Sequence, residues 1–284
     1  MLIEFLGTAG GVPTPRVGSY SKVSREACEK GIPYVRTGPG IFIHDVNLLL
    51  DTSEDIYYQL RRSKINKVQF GLYSHWHPDH TMGRRIWETL NADFVSQNPN
   101  NKKSTIYLPE QVANDFKKFL GIWDHLIFME DKGFIEICIL SNGESVVIED
   151  IKITPFQLAE EFAYGFLLEN NKKRVLIVPD EIYGWNPSKY LSGVDIAILP
   201  FGHSEFHLID GTRNYEDQLL TAEHEAKFED VIEIIKNLNP KKTYITHIEE
   251  LENISHDDLI SIEKQLLDKG LDVSFAYDTL KIDV

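Results

Sequence analysis

Three imidazoles and a carboxylate fall within six consecutive residues, His75-Trp76-His77-Pro78-Asp79-His80. These are ordinary ligands for a borderline divalent cation such as zinc. His75 and His77 are two apart, so on an extended segment both side chains leave on the same side. Asp79 and His80 follow where the chain turns and approach from a second direction. The preceding residues, Val-Gln-Phe-Gly-Leu-Tyr-Ser at 68–74, read as a strand that delivers the cluster. Burying so many ionisable groups for packing alone would be costly, so a metal site is the expectation.

The rest of the chain must position this run. Residues 1–7 read as a strand ending at a glycine-rich turn, Gly7-Thr8-Ala9-Gly10-Gly11. An irregular stretch follows to about Gly40, broken by Pro13, Pro15, Pro33 and Pro39, and a loop of that length is usually functional or disordered. Ile41–His44 and Leu48–Leu50 form a hairpin pattern, and Asp51-Thr52-Ser53 supplies cap-type residues before a helical repeat at Ile56, Tyr57 and Leu60. The pattern predicts helices near 82–90 and at 109–121, with a polar loop at Asn98-Pro99-Asn100-Asn101 and a strand at 104–108 between them. It then predicts strands through 134–178, turning at Asn142-Gly143 and Asn170-Asn171, and a buried strand at Val194–Leu199. A helix at Glu225–Leu238, a strand at Thr243–Thr246, a helix at about 256–269 and two short strands complete it. No repeat or linker divides the chain, so residues 1–284 are expected to form one α/β domain with two mainly antiparallel sheets and outer helices.

Bulk composition narrows the partners. Of the 284 residues 42% are hydrophobic, ample for a core, and the formal net charge is −15. Such a chain repels nucleic-acid backbones unless it gathers its basic residues on one face. Lys102-Lys103, Lys172-Lys173-Arg174 and Lys241-Lys242 sit beside Asn or Pro and read as solvated turns. Two distant cysteines, Cys28 and Cys138, imply no disulfide framework, and no apolar run approaches transmembrane length. With no basic leader at the start, a cytoplasmic protein with no membrane association is expected.

The His-x-His-x-Asp-His run resembles the signature of the metallo-β-lactamase superfamily, and the resemblance extends over nearly the whole chain. Phe5-Leu6-Gly7-Thr8 is similar to the family's opening strand and turn, and Leu50-Asp51-Thr52 to its second motif. The resemblance implies an αββα four-layer sandwich in which Asp51 supports a metal-bound histidine; a simple helix cap is the alternative for Asp51. It also implies that Asp180, in Val178-Pro179-Asp180, bridges two metals, and that His247, closing Tyr244-Ile245-Thr246-His247, is the last ligand. Within the superfamily the chain resembles the phosphodiesterase branch, which includes phosphoribosyl cyclic phosphate phosphodiesterases, ribonuclease Z and the pyrroloquinoline-quinone biosynthesis protein B. The pointer is Glu223-His224-Glu225 opening a helix about twenty residues before Thr246-His247. A histidine at this place in that branch contacts the substrate phosphate, which gives His224 a catalytic role.

Two departures stand out. Between Thr154-Pro155 and Tyr164-Gly165-Phe166 the family carries a histidine ligand, and aligning the flanks puts Glu160 there. Glu161, one residue on, would face the opposite side of an extended segment. A carboxylate there shifts preference from zinc toward manganese or iron. Clustered cysteines that hold a structural zinc in the phosphonate-pathway relatives are reduced here to Cys28.

The resemblance thus implies two divalent ions, Zn²⁺ or Mn²⁺/Fe²⁺. His75, His77 and Glu160 would hold one, Asp79, His80 and His247 the other, with Asp180 between them. The expected activity is hydrolysis of a small phosphodiester or cyclic phosphate, with Asp79 and His224 as the catalytic pair. Arg16, Arg25 or Arg36 in the first loop could hold a substrate anion, although an exposed arginine is the plainer reading of each. A ribonuclease Z-like nuclease and a metal-poor binding protein of the same fold are the alternatives, and a homodimer is left open.

Overall fold

The computed structural model describes residues 1–93, 102–141, 143–214 and 225–284. Among these residues the strands form two seven-stranded sheets. The first runs β14-β1-β2-β3-β4-β5-β6, built from β1 (Leu2–Gly7), β2 (Gly40–Ile43), β3 (Leu48–Leu50), β4 (Phe70–Leu72), β5 (Ser104–Pro109), β6 (Ile135–Leu140) and β14 (Lys281–Asp283). The second runs β13-β12-β11-β10-β9-β8-β7, built from β7 (Val146–Ile148), β8 (Ile151–Gln157), β9 (Tyr164–Glu169), β10 (Arg174–Ile177), β11 (Ile196–Pro200), β12 (Lys242–Thr246) and β13 (Val273–Phe275).

Each sheet is antiparallel in one half and parallel in the other. In the first, β1, β2 and β3 pair antiparallel, and β3 through β6 pair parallel. In the second, β7 through β10 pair antiparallel, and β10 through β13 pair parallel. The parallel strands read as near-continuous apolar runs, as expected for strands covered on both faces. Ile196-Ala197-Ile198-Leu199 in β11 is such a run.

One core lies between the sheets, where Phe5, Ile41, Leu50 and Leu72 of the first meet Ile153, Phe166, Val175 and Ile177 of the second. A second core lies under α7 (Phe228–Leu238) and α8 (His256–Asp268), whose Val231, Ile235, Leu259 and Ile262 pack with Leu176, Ala197 and Ile245. Helices α2 (Ile56–Arg62), α4 (Ile86–Asn91), α5 (Glu110–Phe116) and α6 (Ile122–Asp131) contribute Leu60, Trp87, Phe116 and Leu126 to the first core. This is the αββα sandwich expected from the sequence.

Local differences have local causes. The stretch before Gly40 contains a helix, α1 (Lys22–Lys30), whose Ser21 accepts a hydrogen bond from the Ser24 amide as an N-cap. The prolines flank it and do not enter it. The helix expected at 109–121 ends at Phe116, and a further helix, α6, which the pattern did not predict, starts after Gly121, where φ is 59°. The helix expected near 82–90 begins with a 3₁₀ turn at Met82–Arg85, and the strand expected at 68–74 is only Phe70–Leu72. The loop at 98–101 and Asn142 lie outside the described residues.

Candidate metal centre

Strand ends build the site. β3 ends at Asp51, β4 leads to the His75–His80 run, β10 leads to Asp180 and β12 ends at His247. The carboxyl ends of parallel strands in both sheets therefore open on one edge, the usual location for ligands in such sheets. α3 (Pro78–Thr81) turns the chain after His77, so that Asp79 and His80 come back over the strand ends.

Two groups of ligand-type side chains result. His75, His77, Asp180 and Glu181 form one, and Asp79, His80 and His247 the other. Asp180 Oδ2 sits between them, 3.9 Å from His75 Nε2, 3.7 Å from His80 Nε2 and 3.4 Å from His247 Nε2. Asp79 Oδ2 is 3.3 Å from His80 Nε2 and 3.5 Å from His247 Nε2. His77 Nδ1 faces Glu181 Oε1 at 3.1 Å.

These residues fit divalent ions on a test independent of resemblance. The Nε2 atoms of His75, His80 and His247 are buried with no hydrogen-bond partner among the described residues. An unmet buried polar atom costs about 1–3 kcal/mol. Divalent ions beside Asp180 would satisfy these nitrogens.

The other ring nitrogens are committed. His80 Nδ1 donates to Asp51 Oδ2 at 2.8 Å. The Ser74 amide donates to Asp51 Oδ1 at 2.8 Å and its hydroxyl to Asp51 Oδ2 at 2.7 Å. With that proton spent, Ser74 Oγ can only accept from His75 Nδ1, 3.0 Å away. One buried carboxylate thus fixes both imidazoles with their Nε2 lone pairs facing Asp180. Asp51 caps no helix; α2 starts after Asp55.

Charge is strongly redistributed. Burial alone would raise the Asp79 carboxyl, but the charge of His80 and contacts with His247 hold it well below the usual range. Asp180 is likewise held down against burial by His247, His80 and His75. Burial opposes a charge on His247, yet Asp180 and Asp79 raise it to about 9. His80 is raised against burial by Asp79 and Asp51, whereas burial and the charge of His80 push His75 well below its ordinary value.

The cavity over the two groups has a volume of about 220 Å³. His77, Asp79, Asp180, Glu181 and His247 line its floor, and Glu225 and Glu249 add two more carboxylates. Glu225 keeps part of its surface exposed, but loss of water around its carboxyl, with repulsion from Glu249, Asp180 and Glu181, raises it to about 7. Beside the cavity, the Phe162 ring lies 5.9 Å from His75 and 5.3 Å from His77, and Trp76 stacks on Phe119 at 4.2 Å.

The turn after β1 closes the site from the amino-terminal side. A Cβ on Gly10 would lie 2.3 Å from His247 Cε1 and 2.6 Å from Nδ1, so only glycine lets the backbone approach this imidazole. Asp278, buried beneath, holds that turn by accepting from the Thr8 amide at 3.0 Å and from Arg62 Nη2 at 3.1 Å.

Not every expected residue joins the site. Glu160 lies outside both groups, and the carboxylate beside His77 is Glu181. The physical reason is local: Glu160 sits in the bend after β8, where its carbonyl accepts from the Ala163 amide, and Phe162 is the member of that loop that reaches the histidines. Glu181 follows Asp180 directly and takes a left-handed φ of 58°. None of the three first-loop arginines lines the cavity. Arg16 pairs with Glu250 at 2.8 Å, Arg25 is exposed, and Arg36 is buried with Nη2 donating to the Ile254 carbonyl at 3.1 Å. His224 lies outside the described residues.

No curated protein sequence matches the chain. Solved structures share its fold. It is similar to a diphosphatase of the PhnP family at 21% identity and a TM-score of 0.70, over 100% of this chain and 97% of that one. It is similar to zinc-bound PqqB from Methylobacterium extorquens at 16% identity and a TM-score of 0.71, over 100% of both chains. The metallo-β-lactamase-fold protein YhfI from Bacillus subtilis is 15% identical with a TM-score of 0.68, over 99% of this chain and 98% of its own. At these identities the likeness is one of fold. The family model described as a beta-lactamase superfamily domain matches residues 46–248, a span that takes in Asp51, the His75–His80 run, Asp180 and His247. The chain therefore belongs to the beta-lactamase superfamily, among the metallo-hydrolases that share this fold.

Proposed function

We propose that the protein is a phosphodiesterase that uses two divalent ions to hydrolyse a small phosphodiester or cyclic phosphate. The observation that carries this reading is the position of Asp180 Oδ2, within 3.9 Å of nitrogens from both ligand groups. A carboxylate so placed suits a pair of ions sharing one bridge. The similarity to a diphosphatase of known structure supports phosphoryl chemistry.

His75, His77, Asp180 and Glu181 would hold one ion, and Asp79, His80, His247 and Asp180 the other. Such a pair supplies Lewis acidity at the phosphoryl oxygens and an acidified water as nucleophile. The chain's own part is preorganisation. Asp51 and Ser74 lock the imidazole tautomers, Gly10 admits the backbone against His247, and Asp79 stays ionised because of its histidine neighbours. Phe162 and Trp76 lend an apolar border beside the His75 and His77 rings that limits water there. We assign the proton of the leaving oxygen to His224 on the resemblance to the phosphodiesterase branch, in which a histidine at this place contacts the substrate phosphate.

A nuclease is the weaker reading, since acids dominate the cavity lining and a polyanion would be repelled. The test is metal analysis of the purified protein, with turnover of bis(p-nitrophenyl) phosphate before and after chelation. The reading requires bound metal, turnover lost with the chelator and recovery on adding zinc or manganese. A loaded protein that cleaves a thioester or lactone but no phosphodiester would overturn it.

A further inference from the structure

Beyond His77 the edge of the metal centre is apolar and exposed. Trp76 and Phe162, both half-buried, approach the His77 ring with centroids 4.7 and 5.3 Å away. Phe119 stacks on the Trp76 indole at 4.2 Å, with 26° between the planes. Phe119 is 37% exposed, and Met82 and Leu120 are 46% and 48% exposed. The buried Arg84 guanidinium ties their two turns together. Its Nη1 donates to the Thr81 carbonyl at 3.3 Å and lies 3.6 Å from Met82 Sδ, and its Nη2 donates to the Leu120 carbonyl at 3.3 Å.

Backbone strain marks the same patch independently. Leu120 takes φ 55°, directly before Gly121 at 59°. A bulky side chain in the left-handed region is disfavoured, and strain of this kind collects at binding and catalytic sites. Glycine would occupy position 120 without strain, yet a leucine is held there with half its surface in water.

Continuity with the metal centre decides the occupant. His77 belongs to both surfaces, lining the cavity and packing against Trp76 and Phe162. None of the five apolar side chains lines that cavity, so the patch extends it past His77. A molecule with its phosphoryl group at the ligand carboxylates and imidazoles can therefore lay one arm over the patch. Five side chains are far fewer than the roughly 20–30 residues a side of a stable protein interface, which argues against a second copy. Phenylalanine rings favour an aryl group, which can stack on them or meet them edge to face.

Resting on the phosphodiesterase reading, we infer that one ester arm of the substrate carries an uncharged aryl ring, and that Phe119, Leu120 and Phe162 form its subsite. These side chains select the substrate and take no part in breaking the bond.

Calorimetric titration of the zinc-loaded protein with phenyl-, cyclohexyl- and methylphosphonate tests this without turnover. Phenylphosphonate should bind about tenfold tighter than methylphosphonate and also tighter than cyclohexylphosphonate. Phe119→Ala, at an exposed position, should cut the phenyl-to-methyl ratio to about threefold, and adding Leu120→Gly should bring it to about twofold. If bis(p-nitrophenyl) phosphate is not cleaved but this ratio stands in wild type and falls in the variants, the phosphodiesterase reading fails and the aryl subsite survives. Phenylphosphonate failing to outbind either comparator overturns the inference, and so does a ratio unchanged in the double variant. A wild-type dimer in sedimentation that Phe119→Ala dissociates also overturns it, because the patch would then be an interface between copies.

Discussion

The two ligand groups are built in different ways. Asp79, His80 and His247 sit on a scaffold that leaves little freedom: His80 is fully buried and tied to Asp51, and His247 lies under Gly10. His75, His77 and Glu181 are looser. His75 is buried and held through Ser74, but His77 and Glu181 are half-buried at the cavity wall. The contrast teaches that Asp51 acts on both groups unequally, in direct contact with one and through a serine hydroxyl with the other. Metal should fill the Asp79/His80/His247 position first and leave it last.

The largest break in this comparison is expected from Asp51→Ala. It leaves His80 Nδ1 and Ser74 without their acceptor, and losing a supporting partner of this kind costs roughly 10–100-fold in metal affinity. Both positions should weaken, that of His80 more, as read by calorimetric titration with zinc. Equal weakening would remove the asymmetry.

Next in size is Glu181→Gln, which should weaken only the His75/His77 position, by at least about tenfold if a direct ligand matters no less than a supporting one. Glu160→Gln should leave both positions intact. Metal content after dialysis distinguishes them, and depletion by Glu160→Gln would restore the ligand set expected from sequence.

Gly10→Ala comes third. The new methyl must displace the His247 ring, with an overpacking cost of roughly 1–3 kcal/mol in thermal unfolding. Loss of metal should be confined to the Asp79/His80/His247 position. An unchanged affinity there would show that the ring has room to move.

The smallest effect is a pH dependence. His247 rises on folding from 6.5 to about 9, so in metal-free protein its ion pairs stabilise fully below 6.5 and are lost as pH rises through 9. Metal must displace that proton, so affinity should climb between these values by at most about tenfold per pH unit. Titrations in buffers of different ionisation heat should show proton release, and a flat affinity would place the proton elsewhere.

Much of the site could be read from the chain, because His75, His77, Asp79 and His80 fall within six residues and the resemblance singles out Asp180 and His247. Glu181 could not. Alternation along an extended segment sends neighbouring side chains to opposite faces, which argues against Asp180 and Glu181 sharing a cavity. The left-handed φ at Glu181 breaks the alternation, and nothing in the residue type announces it. Helix α1 escaped notice because prolines on both sides made its surroundings look irregular throughout. Arg36 is the converse case, a cation whose type suggests the surface but which lies 2% exposed against backbone carbonyl oxygen.

Asp51, Glu181 and His247 share one further property: each is a non-glycine residue with φ between 57° and 60°. Side chains in that region cost of order 1–3 kcal/mol each. The fold would relax if any of them became glycine, whereas the chemistry needs the side chain. Selection for thermal resistance alone would therefore favour losing these three side chains. Glu181→Gly should melt higher than wild type without metal and lower with it, a crossing of two melting curves that would measure how much stability the site gives up to exist.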